Sequence, residues 1–189
     1  MASVITATTT SGLTQSADNS GVLQLASGSG NLVTVPSVTG TAMVSGNMPA
    51  FYAYGSGGND QVISNNTSTK VILNAELFDT SNSFNTSTYR FTPNVAGYYQ
   101  ISGLVEAYAA GNNFTNSEVY LYKNGSIYVR GTNVLSATPE TYIAVNALVY
   151  MNGTTDYLEL YARANASNTI TLYGSFEYRY LTGVLVRTA

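Results

Sequence analysis

Apolar side chains return at every second position through much of this chain, and Gly and Asn cut the runs short. Tyr99, Ile101, Val105 and Ala107 fall on one side of such a run, with Tyr98, Gln100, Ser102, Leu104 and Glu106 on the other. A period of two belongs to a β-strand with unlike faces, because successive Cβ atoms point to opposite sides. Ile143, Val145, Ala147, Val149 and Met151 repeat the pattern. So do Leu158, Leu160 and Ala162, set against Tyr157, Glu159, Tyr161 and Arg163. Val119 and Leu121 are separated from Ile127 and Val129 by Lys123-Asn124-Gly125-Ser126. Asn-Gly tolerates positive φ at both central positions of a tight turn, so a two-residue hairpin is predicted there. Asn152-Gly153 predicts a second turn, and a last strand is expected from about Phe176 to Arg187. No segment carries a sustained helical stripe. Many short strands joined by such turns predict an all-β, antiparallel β-sandwich of the jelly-roll kind.

Composition divides the chain near residue 48. Met1 to Met48 holds one charged residue, Asp18, and no aromatic; all sixteen tyrosines and all six phenylalanines follow Pro49. Residues 1–48 are therefore read as an extended N-terminal arm or small β subdomain, and residues 49–189 as the compact domain. Val22-Leu23-Gln24-Leu25 and Leu32-Val33-Thr34-Val35 are β-prone runs with a turn signal, Ser27-Gly28-Ser29-Gly30-Asn31, between them. The arm has too few apolar residues for a core of its own. It is expected to be a ribbon that orders against a partner, the alternative being a flexible linker.

The charge inventory excludes several classes of function. Charged residues make up 9% of the chain, against about 25% in ordinary domains, and the net charge is −3. Two lysines and five arginines, with no basic run, cannot neutralise a row of phosphates, so no nucleic-acid partner is expected. A polybasic membrane site fails on the same ground, and no run reaches the roughly 20 apolar residues of a membrane helix. The N-terminal residues lack the basic and apolar regions of a signal peptide.

Catalysis is poorly provided for. The chain has no His and no Cys, which removes the commonest general base, the Ser-His-Asp triad and thiolate chemistry. Glu159 and Glu177 could form a carboxylate pair on outward strand faces, but Arg163 and Arg179 lie within four residues of them. Cross-strand ion pairing is the expected role. Lys123 beside the hairpin turn is expected to be solvated, and Lys70 to mark a strand end. Asn59-Asp60 and Asp79-Thr80-Ser81-Asn82 offer oxygens for calcium, but they lack the alternation of a dedicated loop and are read as Asx turns. No catalytic residue, metal site or cofactor is assigned. Outward-facing Tyr120, Tyr122, Tyr128, Tyr157 and Tyr161 suit subunit contact, since Tyr offers apolar area and a polar tip.

Several motifs together carry a resemblance. Phe91-Thr-Pro-Asn-Val-Ala-Gly97-Tyr-Tyr99-Gln-Ile101, preceded by Asp79 and Phe84, resembles the signature of the C1q/TNF-like jelly-roll superfamily. Pro49-Ala-Phe-Tyr-Ala-Tyr54 is similar to its opening strand, Tyr120-Leu-Tyr-Lys-Asn-Gly125 to its middle hairpin, and Leu181-Thr-Gly183-Val-Leu185 to its closing strand. Ile101 stands where an aromatic is usual and Leu73 where Phe is usual. The resemblance covers residues 49–189. It implies a core signature of Phe84, Phe91, Gly97, Tyr99 and Ile101. It also implies a homotrimer, with Gln100, Ser102, Leu104 and Tyr142 near a threefold interface.

No Gly-X-Y stalk precedes the domain, unlike complement-like members. Ser11-Gly-Leu-Thr-Gln-Ser16 and Ser20-Gly-Val-Leu-Gln-Leu25 resemble instead segments of phage structural proteins. The combined expectation is a virion structural protein: a trimeric capsid decoration, or cement, protein on the head of a tailed phage. Its arm, on the order of 150 Å if fully extended, would bind the major capsid protein or another virion protein. The alternatives are a receptor-binding or fibre-tip domain for host glycan, and a secreted C1q-like lectin.

Overall fold

The computed structural model describes residues 23–27, 31–35, 48–109, 111, 114–134 and 138–189. The chain forms two compact units, Met1–Thr41 and Ala42–Ala189. In the first, β1 (Leu23–Ser27) and β2 (Asn31–Val35) pair antiparallel, from Leu23 opposite Val35 to Ser27 opposite Asn31. The β-prone runs thus pair with each other as antiparallel strands. Val22 and the remainder of residues 1–47 lie outside the described residues.

Among its described residues the second unit contains thirteen strands: β3 (Ala50–Tyr54), β4 (Gln61–Ile63), β5 (Thr69–Lys70), β6 (Ala75–Asp79), β7 (Phe84–Asn85), β8 (Arg90–Phe91), β9 (Gly97–Ala109), β10 (Asn116–Lys123), β11 (Ser126–Val134), β12 (Glu140–Met151), β13 (Leu158–Asn165), β14 (Ile170–Leu172) and β15 (Arg179–Thr188). They form a seven-stranded sheet and a six-stranded sheet, every pairing antiparallel, with no helix among the described residues. β9 is central to the larger sheet. It pairs with β12 along its length and, on its other side, with β15 and then β14. β13 is central to the smaller sheet, between β10 and the short strands β5 and β8. The antiparallel sandwich expected from the period of two is the architecture observed.

The alternation maps onto the core. Tyr99, Ile101, Val105 and Ala107 are fully buried, as are Ile143, Val149, Met151, Leu158 and Leu160. The predicted hairpin joins β10 to β11, with Asn124 and Gly125 at φ 53° and 79°, the two positive values such a turn requires. The final strand begins at Arg179, not Phe176, because residues 176–178 form a turn closed by Tyr178 and Arg179 N–H groups donating to the Ser175 carbonyl.

The signature residues have one packing logic. Phe84, Phe51, Phe91 and Tyr99 form a chain of rings with successive centroids 5.4, 4.3 and 5.3 Å apart. Such contacts add roughly 0.5–1.5 kcal/mol each beyond area burial. The Asp79 carboxylate accepts from the backbone N–H groups of Ser81, Ser83 and Phe84, and so shapes the turn that delivers Phe84 to the core. This is the Asx role expected for the 79–82 run. The Tyr99 hydroxyl donates to the Val95 carbonyl at 2.8 Å, and burial pushes its pKa up to about 12. Gly97 is needed for close approach rather than for a special φ. A Cβ there would lie 2.7 Å from Leu185 Cδ1 and would overlap the Arg187 carbonyl.

Candidate functional site

The outer face of the seven-stranded sheet gathers all four residues expected at a subunit contact. Gln100, Ser102 and Leu104 alternate along β9, and Tyr142 on β12 lies opposite Glu106. Cross-strand pairing extends this into rows. Leu104 sits between Ala144 and Tyr180, with Tyr54 beyond; Ser102 sits between Asn146 and Thr182, with Tyr52 beyond; Gln100 sits between Leu148 and Val184. Residues directly opposite in an antiparallel pair share a face and touch, so these rows form one continuous surface.

That surface is apolar and open. Tyr142 is 54% exposed and Leu148 55%, and Tyr98, Tyr150, Val184 and Phe78 are also exposed. Gln100 is exposed, while Ser102 and Leu104 are half-buried. Large apolar side chains gathered on one face of a sheet are unusual for a surface that meets only water. The rings are held in place by one another. Tyr52 stacks on Tyr180 at 5.0 Å, Tyr98 meets Tyr150 at 5.5 Å, and Tyr108 stacks on Tyr173 at 5.6 Å. The Tyr52 hydroxyl donates to the Phe176 carbonyl at 2.6 Å, and its burial, with Tyr180 and Glu177 nearby, pushes its pKa up to about 12.

One carboxyl on this face is out of keeping with its surroundings. Glu106 is 4% exposed, and its Oε2 has no hydrogen-bond partner among the described residues. It lies where β9 changes neighbour: its N–H donates to the Tyr178 carbonyl, and its carbonyl accepts from Tyr173 N–H. Burial pushes its carboxyl up, the Tyr142 hydroxyl hydrogen bond lowers it, and Glu140 raises it further; the net direction is up. The alternation placed Glu106 on this face but gave no sign that it would be buried there.

The other expectations of charge and exposure are corrected on the six-stranded sheet and at the start of β15. Glu159 lies on the outer face of β13 but is 1% exposed, and its partners are Lys70 at 2.8 Å and Arg90 at 2.7 Å, not Arg163. Burial pushes the Glu159 carboxyl up, but the hydrogen bonds and charges of Lys70 and Arg90 outweigh it and hold it below the ordinary range. Lys70 is therefore an ion-pair partner as well as a strand end. Arg163 pairs with Glu118, opposite it on β10. Lys123 is not merely solvated: it bridges to Asp156 at 2.9 Å and donates to the Tyr150 carbonyl. Glu177 lies in the 176–178 turn, and Arg179 faces the core, fully buried, donating to the carbonyls of Leu172 and Asn59. Burial brings the Arg179 pKa down to about 10.

Of the five tyrosines expected to face outward, Tyr120 is 2% exposed, covered by Arg130 and by the Tyr122 ring. Tyr122 and Tyr161 stack at 3.9 Å, and Arg90 lies over the Tyr157 ring at 4.1 Å. Only Tyr128 stands clearly exposed, at 46%. Spacing fixes the side a residue points to, not whether a long cation lies down over it. Among the described residues no group of three or more acidic, His or Cys side chains is placed to hold a metal ion, and Asp60 is engaged by the Gly174 N–H.

No protein-family model matches the sequence, and no curated protein matches it significantly. Solved structures do. The globular domain of zebrafish complement 1qA is 13% identical with a TM-score of 0.51, and the match covers 75% of this chain and 99% of that one. Murine APRIL is 12% identical with a TM-score of 0.53, over 74% of this chain and 100% of that one. Eiger TNF from S. frugiperda is 12% identical with a TM-score of 0.53, over 75% and 94%. At such identities the likeness is one of fold, and the fold is the C1q/TNF-like jelly-roll sandwich.

Proposed function

We propose that this chain is a non-enzymatic virion structural protein, a capsid decoration protein that assembles as a homotrimer through the outer face of its seven-stranded sheet. The observation that carries the trimer is the continuous apolar face around Gln100, Ser102, Leu104 and Tyr142, with Tyr98, Leu148, Tyr150 and Val184 exposed on it. A second and third copy of the same chain supply what that face lacks, a surface equally rich in apolar side chains. Closed rotational symmetry lets every copy bury the same patch. The resemblance of residues 49–189 to a superfamily that packs this sheet around a threefold axis supports the same arrangement.

The virion assignment rests on the N-terminal segment. It has one charge, Asp18, and no aromatic residue, and its Ser-Gly-Leu-Thr and Ser-Gly-Val-Leu runs are similar to those of phage structural proteins. Uncharged strand-forming segments can be added to a neighbouring sheet at little desolvation cost. In this reading the arm binds the major capsid protein or another virion protein, and the trimer braces the particle by buried area, not by chemistry. The test is truncation. Residues 49–189 are expected to give a folded trimer that no longer decorates particles lacking the protein, whereas the full chain does. Full decoration by the truncated chain would overturn the role of the arm, and binding to host cells in place of heads would overturn the decoration reading.

A further inference from the structure

Away from the apolar face, a cleft of about 680 Å³ opens between β6, the turns around β7, and β8. That is within the usual size of small-molecule sites, but such sites are mostly apolar. This one is lined by Glu76, Asn82, Asn85, Ser87, Arg90 and Thr92 among others, with Phe84, turned to the core, as its one apolar side chain. A hydrophobic ligand has nothing to gain here. A ligand dense in hydroxyls does.

Much of the hydrogen-bonding capacity in the cleft is uncommitted. Asn85 Oδ1 accepts from the N–H groups of Ser87 and Thr88, which leaves its amide NH₂ free as a donor. Arg90 spends Nε on Glu159, while Nη1 and Nη2 have no hydrogen-bond partner among the described residues. The guanidinium lies over the Tyr157 ring at 4.1 Å, which limits its rotation. It is 39% exposed, against 2% for the carboxylate it pairs with. Lys70 and Arg90 both bond that single carboxylate. The trio therefore carries a net positive charge on the Arg90 wall of the cleft, where Glu76 is the one acidic side chain among the lining residues. A planar fork of two N–H groups matches a carboxylate better than it matches a spherical anion.

We infer that this cleft binds a carboxylate-bearing saccharide, a uronic acid unit, with Arg90 taking the carboxylate and Glu76, Asn82, Asn85 and Thr92 taking the ring hydroxyls. A bare anion would use the Arg90 wall alone. A neutral sugar would leave the two Arg90 Nη groups without a carboxylate to bind in their fork. A uronic acid uses both, with Glu76 as acceptor and the Asn amides as donors for alternating hydroxyls. This site is independent of the trimer reading, because none of its residues lies among the rows of the apolar face.

The test is saturation-transfer NMR on the full chain with D-glucuronate, D-glucose and acetate as probes. Glucuronate is expected to give a saturable signal at millimolar concentration, at least fivefold stronger than glucose or acetate. Arg90→Gln is expected to abolish the preference for glucuronate over glucose. Since Arg90 also supports Glu159, Ser87→Trp provides a second variant: it fills the cleft from an exposed turn position and is expected to remove all sugar signal while the fold stays intact. Absence of saturable glucuronate binding, equal signals from acetate or glucose, or glucuronate binding unchanged in folded Ser87→Trp would each overturn the assignment.

Discussion

The two outer faces of the sandwich are built from the same kinds of side chain and finished in opposite ways. On the six-stranded sheet most rings have a cover, Tyr128 being the exposed one. Tyr122 lies on Tyr161, Arg90 on Tyr157 and Arg130 on Tyr120, and all four ion pairs among the described residues belong to this sheet and its turns. On the seven-stranded sheet the aromatic rows stand open. Its one buried carboxyl, Glu106, has an oxygen without a partner among the described residues. Five of the seven cations in the chain, Lys70, Arg90, Lys123, Arg130 and Arg163, serve the first face, while on the second Lys123 also approaches the Tyr150 ring at 5.6 Å and Arg187 the Tyr98 ring at 5.9 Å. A chain with so few charges has gathered most of them on one sheet.

The strongest way to break this contrast is to place the same charge on each face. Leu104→Glu puts a carboxylate between Ala144 and Tyr180 in the middle of the apolar rows. Burying it unpaired in a subunit contact costs several kcal/mol, so sedimentation is expected to show the mass of the particle falling from three chains to one. Tyr128→Glu, at an exposed position on β11, is expected to leave the mass unchanged. Equal behaviour of the two variants would erase the distinction.

A smaller effect is expected from Glu159→Gln. It leaves Lys70 and Arg90 side by side without their carboxylate. Breaking a fully buried pair costs about 3–5 kcal/mol. Both cations here remain partly in water, so roughly 1–3 kcal/mol is the expected loss, read as a lower midpoint in denaturant with no change in assembly at fixed protein concentration. A dissociated but otherwise stable variant would mean that the six-stranded sheet also makes the subunit contact.

The least of the effects is in pH, and there the two faces differ in sign. The carboxyls of Glu118, Glu159 and Asp156 are held below their ordinary values. The causes are the Tyr120 hydrogen bond at Glu118, and at the other two the hydrogen bonds and cations that outweigh burial. The stability they contribute is present above the unfolded carboxylate pKa of about 4 and is lost as pH falls through their folded values. Glu106 is pushed up by burial, so its contribution runs the other way: stability falls as pH rises from about 4 through its folded pKa and is regained on acidification. Thermal unfolding at pH 5 and pH 7.5, at constant salt, is expected to show Glu106→Gln flattening the loss toward neutral pH. A loss as steep in Glu106→Gln as in the parent chain would remove Glu106 as its source.

Most of the fold could be read from the sequence because a period of two depends on backbone geometry alone. Ile101 and Leu104 fell on their proper faces for that reason, and Asn124-Gly125 turned where its φ values allowed. What could not be read was cover. Glu159, Tyr120 and Lys123 sit on outward positions, but Lys70 and Arg90 from other strands pair with the first, Arg130 from the neighbouring hairpin strand lies over the second, and Asp156 captures the third. The partners of Glu159 and Lys123 are separated from them by many residues, as Lys70 is from Glu159, and no local pattern announces them. The same limit applied to Arg179, whose place in a strand was foreseen and whose full burial was not. The polar cleft was invisible for a related reason: its walls come from β6 and β8, and no spacing links Glu76 to Arg90.

The open apolar face is proposed as the contact between copies of this chain. Light scattering coupled to size exclusion, on residues 49–189 at micromolar concentration, measures that directly. A mass of three chains, lost in Leu104→Glu and kept in Tyr128→Glu, is the predicted result; a folded monomer from the parent sequence would contradict it.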